Sequence, residues 1–166
     1  MTMVLVETLT VETPVTFIDI TGIPQDATDL LIIMSSREGG DQSSDSGFQF
    51  TVNGAYGDFK AVYGQITQVV AQTGSNLYVP SGMPTGGATA GAFGNTQIYI
   101  PNYTLSQRHP VAVDSVGENV SDVQFGQKMS LFGGLTSSSQ PVTSMRIIYS
   151  NDAIQPNTTV FIYKIS

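Results

Sequence analysis

Cysteine is absent from the sequence, which excludes disulfides, thiolate metal sites and cysteine nucleophiles. Tryptophan is absent too, and with Phe and Tyr at only 9% there is no evident platform for stacking sugars. Charged residues make up 11% of the chain, against about 25% in an average soluble domain. The surface must therefore be covered largely by Ser, Thr, Asn, Gln and Gly, as in a β-rich shell rather than in helices laced with ion pairs. Basic residues are the scarcest: Arg37, Lys60, Arg108, Lys128, Arg146 and Lys164 stand singly against 13 carboxylates, for a net charge of −7. A phosphate backbone or an anionic membrane requires clustered cations, so nucleic acid and membrane are set aside as partners. No apolar run approaches the roughly 20 residues of a membrane span. The start, Met1-Thr2-Met3-Val4-Leu5-Val6-Glu7, lacks the basic region and apolar stretch of a secretory signal, and the expectation is folding in a cytoplasm.

What is present is a period of two. Phe48, Phe50 and Val52 alternate with Gln49, Thr51 and Asn53, and Asn53-Gly54 then supplies a tight-turn signal because both residues tolerate positive φ. The same patterning predicts further strands at about 3–11, 13–21, 29–37, 62–71, 95–103, 110–117, 122–133, 142–150 and 158–166, with no helix. Met145, Ile147 and Tyr149 share one face of their strand. Val160-Phe161-Ile162-Tyr163 is apolar on both faces, as expected of a central strand covered on both sides. The eight prolines fall mostly at the edges of these runs, where a missing N–H does little harm to a ladder. Strands this numerous and closely spaced predict a single all-β domain over residues 1–166, an antiparallel two-sheet β-sandwich of jelly-roll-like kind. Two stretches stand outside the pattern. The Gly-rich segment 81–94 is expected to be a flexible loop or an arm ordered by a neighbour, and the polar segment 39–47 a solvent-facing loop.

The run Phe17-Ile18-Asp19-Ile20-Thr21-Gly22-Ile23-Pro24, followed through a polar stretch by Leu30-Leu31-Ile32-Ile33-Met34-Ser35-Ser36-Arg37, resembles a pattern met in virion proteins of tailed bacteriophages, especially marine and cyanobacterial phages. Phe50-Thr51-Val52-Asn53-Gly54, Ile98-Tyr99-Ile100-Pro101-Asn102-Tyr103-Thr104 and the closing pair Met145-Arg146-Ile147 and Thr159-Val160-Phe161-Ile162-Tyr163-Lys164-Ile165 are similar to its later segments, in the same order. The chain departs from the pattern between Ala61 and Gln72, which lacks the usual aromatic and charged residues, and in the length of the Gly-rich segment. The resemblance implies a β-sandwich displayed on the virion and made in the host bacterial cytoplasm. It occurs both as the tip of fibre proteins and as small free-standing modules. No fibrous shaft, collagen-like repeat or coiled coil is evident here, which favours a capsid decoration or cement protein docked on the major capsid protein or other virion proteins. A tail-fibre or baseplate component that binds a host receptor or glycan is the alternative. A homotrimer is expected by the same analogy.

Chemistry-bearing patterns are few. His109, the only histidine, sits in Arg108-His109-Pro110 with no Gly-x-Ser-x-Gly elbow in the chain, and is expected at the surface. Asp41-x-Ser43-x-Asp45 spaces oxygen ligands as a calcium loop does, but the glycine falls late, at Gly47, and Val52 stands where a bidentate Glu belongs. A solvated loop fits better. Asp26 and Asp29 read as turn formers bonding nearby amides, and no carboxylate pair stands out for glycoside cleavage. The expectation is a protein without catalytic residues, metal or cofactor. Tyr78, Met83, Phe93 and Tyr103 are the candidate contacts with a neighbouring chain, while Tyr99 is assigned to core packing.

Overall fold

The structure, a computed structural model, describes residues 1–40, 47–65, 68–80, 83–84, 86–118, 128–149 and 152–166. Among these residues the chain is all-β, with no helix and twelve strands. They are β1 (Met3–Thr10), β2 (Phe17–Thr21), β3 (Asp29–Ser36), β4 (Gly47–Val52), β5 (Gly57–Gln65) and β6 (Gln68–Gly74). The second half adds β7 (Tyr78–Pro80), β8 (Gly94–Ile100), β9 (Pro110–Gly117), β10 (Lys128–Thr136), β11 (Ser144–Tyr149) and β12 (Thr159–Ile165). An eight-stranded sheet runs in the order β1-β12-β3-β8-β9-β10-β5-β6 and a four-stranded sheet in the order β2-β11-β4-β7. Every pairing is antiparallel. The chain passes repeatedly from one sheet to the other, so the two can only close face to face as a sandwich.

Alternation decides which side chains enter the core. Leu30, Ile32 and Met34 of β3, Ile98 and Ile100 of β8, and Val160 and Ile162 of β12 point inward from the larger sheet. Phe48, Phe50, Val52, Met145 and Ile147 meet them from the smaller one. Phe132 joins the layers, with its ring centroid 5.9 Å from that of Phe50 and 5.4 Å from that of Phe59. Each such side chain contributes roughly 1.5–3 kcal/mol on removal from water. The Asn53-Gly54 turn has the predicted left-handed backbone, with φ of 51° and 75°, and closes a bridge between Val52 and Ala55.

Three strand expectations change. The strand expected at 62–71 is two strands, β5 and β6, paired from Phe59 with Gly74 to Gln65 with Gln68. The sequence signal for the start of β5 was Phe59 and Ala61 alternating with Asp58, Lys60 and Val62, and the charges obscured it. β7 is three residues long, too short to carry a period. β12 does not have two covered faces: Val160 and Ile162 are buried, whereas Phe161 and Tyr163 remain half-exposed. Residues 122–127 of another expected strand lie outside the described residues, and β10 continues to Thr136.

The described part of the Gly-rich segment is held by its own chain. The Arg37 guanidinium donates to the carbonyls of Thr89 and Ala92 at 2.8 and 2.9 Å, and the Glu118 carboxylate accepts from Thr89 N and Oγ1 at 3.1 and 2.6 Å. Residues 86–92 are irregular, as expected, and these four bonds pin them to the ends of β3 and β9.

Candidate functional site

The pairing registers place side chains of the larger sheet in transverse rows on its outer face. One row runs Val62, Leu131, Asp114, Gln97, Ile33, Phe161. The next runs Lys60, Gly133, Ala112, Tyr99, Leu31, Tyr163, Leu5. Met129 and Val116 pair on a third. Leu131 is 61% exposed, Met129 58%, Val116 51% and Val62 47%, and these four adjoin one another on β10, β9 and β5. Of the twelve large apolar side chains exposed among the described residues, eight belong to strands of this sheet. Apolar patches of this kind on a soluble protein mark contact surfaces.

The face is concave where side chains are smallest. Gly133 and Ala112 floor two open depressions of about 530 and 620 Å³, which share Lys60 and Tyr99 at their rims. A Cβ at Gly133 would meet only the Lys60 carbonyl, at 3.9 Å, so the hollow is open directly above this glycine. Tyr99 is fixed at the edge by its hydroxyl, which donates to Asp29 Oδ2 at 2.7 Å, and this bond raises the phenol pKa. The outer face of the smaller sheet differs. There Arg146 donates to both oxygens of Asp19 at 2.5 and 2.8 Å, lies 4.2 Å from the Phe17 ring centroid, and holds the carboxyl below its usual range. Its neighbours are the exposed Thr21, the half-buried Ser144 and the buried Thr51, all polar.

The candidate contact residues do not converge. Met83 is 1% exposed and Tyr103 fully buried, so both serve the core of this chain and neither presents a surface to a neighbour. The Tyr103 hydroxyl donates to the Pro24 carbonyl and its own carbonyl accepts from Val142 N at 2.8 Å, which ties three segments together. Tyr78 is half-buried, packing beside Phe59 with ring centroids 6.5 Å apart. Phe93 is half-buried at the end of the Gly-rich segment. Tyr99, expected in the core, stands half-exposed on the outer face.

His109, expected at the surface, is buried; its Nε2 lies 3.1 Å from the Gln140 carbonyl and its backbone N donates to Thr136 Oγ1 at 2.9 Å. It anchors the approach to β11. Asp29 caps a distant turn by accepting from Asn102 N at 3.0 Å, while Asp26 pairs with Lys164 at 2.6 Å and also accepts from its own backbone N–H, the local bond expected of a turn former. Asp41, Ser43 and Asp45 lie outside the described residues. The exposed members of the outer face were missed because Leu131 and Val62 are indistinguishable in sequence from core residues. The available signal was apolar character on both faces of β3, β10 and β12.

The chain matches no family model, no curated protein and no solved structure. No helix among the described residues is long and apolar enough to cross a membrane.

Proposed function

We propose that this chain is a structural protein of a bacteriophage particle, a capsid decoration or cement protein that oligomerises and docks through the outer face of its eight-stranded sheet. The observation that carries the assembly reading is that face: β3, β10 and β12, patterned for cover on both sides, leave their outward apolar residues half-exposed or exposed among the described residues. Seven strand spacings of about 4.8 Å and six residue steps of about 3.4 Å make it roughly 34 by 20 Å. That is about 700 Å² in projection, close to the about 800 Å² per partner of a standard interface. The phage context rests on the ordered resemblance of the sequence segments.

In this role the protein performs no chemistry. A repeated lattice multiplies modest contacts by avidity and adds interface to a thin shell under pressure from packaged DNA. The acidic exterior discourages adhesion to that DNA. Two measurements test the reading: mass spectrometry of purified virions for this chain, and cryo-electron microscopy for its position. Density at quasi-three-fold sites of the head is expected. Absence from virions ends the proposal.

One observation favours a second reading, a tail-fibre or baseplate module. The depression has polar groups, Lys60, Asp114 and Gln97, around an apolar floor, the arrangement that orients a small polar ligand such as a sugar. It predicts saturable binding of the isolated protein to host cells and density at the tail.

A further inference from the structure

Asn53-Gly54 is the one Asn-Gly pair in the sequence, and it forms the turn between β4 and β5. In such a pair the Asn side-chain carbonyl carbon can reach the following main-chain nitrogen, and glycine has no Cβ to obstruct the approach. Both residues have left-handed backbone here, Gly54 is exposed, and nothing stands within 4 Å of where its Cβ would be. The turn itself therefore offers no steric shield. What restrains it is the engagement of the Asn53 amide. Its Nδ2 donates to the Pro141 carbonyl at 2.8 Å, and its Oδ1 accepts from Thr143 N at 2.9 Å, from Thr143 Oγ1 at 3.2 Å and from Ser144 N at 3.2 Å.

These four bonds carry the pairing of β4 with β11 beyond its end pair, Met145 with Val52. The Asn53 main-chain N–H adds a fifth, to the Ser144 carbonyl at 2.9 Å. The segment so held is a junction: the Thr143 carbonyl accepts from Ile23 N at 3.1 Å, and the Val142 carbonyl from Gln25 Nε2 at 2.8 Å. For Asn53 Cγ to meet Gly54 N, the side chain has to rotate back over its own main chain. It cannot then keep its amide on Pro141, Thr143 and Ser144, and all four side-chain bonds are given up together. The reactive arrangement is thus reached by a local opening that parts the turn from residues 141–144.

We propose that Asn53 is a modification site closed by this clasp: it stays an amide while the clasp holds, and deamidates through a succinimide when the clasp opens. The inference is independent of the phage reading. Gly54 N gives up its proton to water and bonds to Asn53 Cγ; the Cγ–Nδ2 bond breaks, and Nδ2 takes up a proton and leaves as ammonia. Water then opens the ring, at Cγ to give aspartate or at the Asn53 main-chain carbonyl to give isoaspartate. No atom is oxidised or reduced, and water is the sole co-reactant. Aspartate sets a carboxylate oxygen against the Pro141 carbonyl, where Nδ2 donated. Isoaspartate inserts a methylene into the main chain of a two-residue turn. Either product forfeits the Nδ2 bond, so an opening of this turn leaves a permanent mark that weakens the junction.

The test uses the full chain in mildly alkaline buffer, folded and in guanidinium chloride beyond its unfolding transition, sampled over time by peptide mapping with mass spectrometry and by an isoaspartate assay. Conversion at Asn53 is expected to be at least about tenfold slower in the folded chain, because it follows the population of the open form. Gly54→Ala, whose Cβ obstructs the attack, should react more slowly than the parent in denaturant. Asn53→Asp should melt below the parent, as should converted chain returned to buffer. Conversion of the folded chain at the denatured rate would overturn the proposal, since the clasp would then restrain nothing. So would equal rates for Gly54→Ala and the parent in denaturant, which would remove Gly54 as the nucleophile, or an Asn53→Asp protein with the parent's Tm, which would show that the Nδ2 bond does not hold the junction.

Discussion

Single buried polar groups hold the connections of this sandwich. Tyr103, bonded to the Pro24 carbonyl and to Val142, fastens the segment before β3 to that before β11. Tyr103→Phe should keep the ring packing and leave the Pro24 carbonyl without its donor. The expected loss is about 1–2 kcal/mol in denaturant unfolding, with an unchanged m-value. Gly54, at φ 75° with nothing within 4 Å of a Cβ, tests backbone conformation alone. Gly54→Ala should cost about 1 kcal/mol, and Gly54→Asn should recover part of it because Asn tolerates the left-handed region.

Glu38 gives a pH signature at the same scale. Burial, with the Asp152 charge behind it, raises its carboxyl above the usual range. The stability such a group contributes is complete below its unfolded pKa, about 4.3, and is lost as pH rises through the raised folded value. Glu38→Gln should therefore match the parent near pH 4 and exceed it in Tm at pH 7. Parallel curves across that window would contradict the burial of an uncompensated charge.

At the scale of elements, the two sheets share a core but not a surface chemistry. The smaller sheet turns Asp19, Arg146 and Thr21 to solvent, while β10 and β5 of the larger turn out Leu131, Met129 and Val62. Gly133 offers a probe that leaves the core alone, since its Cβ would point into open space at ordinary backbone angles. Gly133→Leu should fold with unchanged or higher Tm, since glycine is a poor strand residue, and should fill the depression and weaken assembly. Light scattering after size exclusion measures this; unchanged mass across concentration would remove the face from the interface. The loop carrying Thr89 and Ala92 should depend on Arg37 in the same local way. Arg37→Met is expected to raise amide exchange over residues 86–92 while the strands retain their protection.

For the whole molecule, the net charge of −7 opposes the apolar face. Like-charged copies repel over a Debye length of about 10 Å at 0.1 M salt, while apolar burial is little affected by screening. Self-association should therefore strengthen between low and moderate salt, the reverse of a complex held by ion pairs, as sedimentation at two ionic strengths would read directly. Loss of mass with added salt would point to an oppositely charged partner instead.

Strand positions were legible because burial on one side imposes a period of two, and β3, β8, β9, β11 and β12 fall close to where alternation placed them. The Asn53-Gly54 turn was legible because few residue pairs accept two positive φ angles. The sequence by itself thus determined an all-β, acidic, cysteine-free chain of many short strands. Only the tertiary structure decided which apolar faces meet. Leu131 and Phe132 are neighbours of similar hydropathy, yet one lies on the outer face and the other in the core. Met83, Tyr103 and His109 pass for surface residues until distant segments close over them. Glu38 lies more than a hundred residues from Tyr149 and Asp152, and no local period relates it to them. Which side of a strand is buried, and which carboxylate loses its water, depends on the sheet that packs against it, and that is a property of long-range pairing.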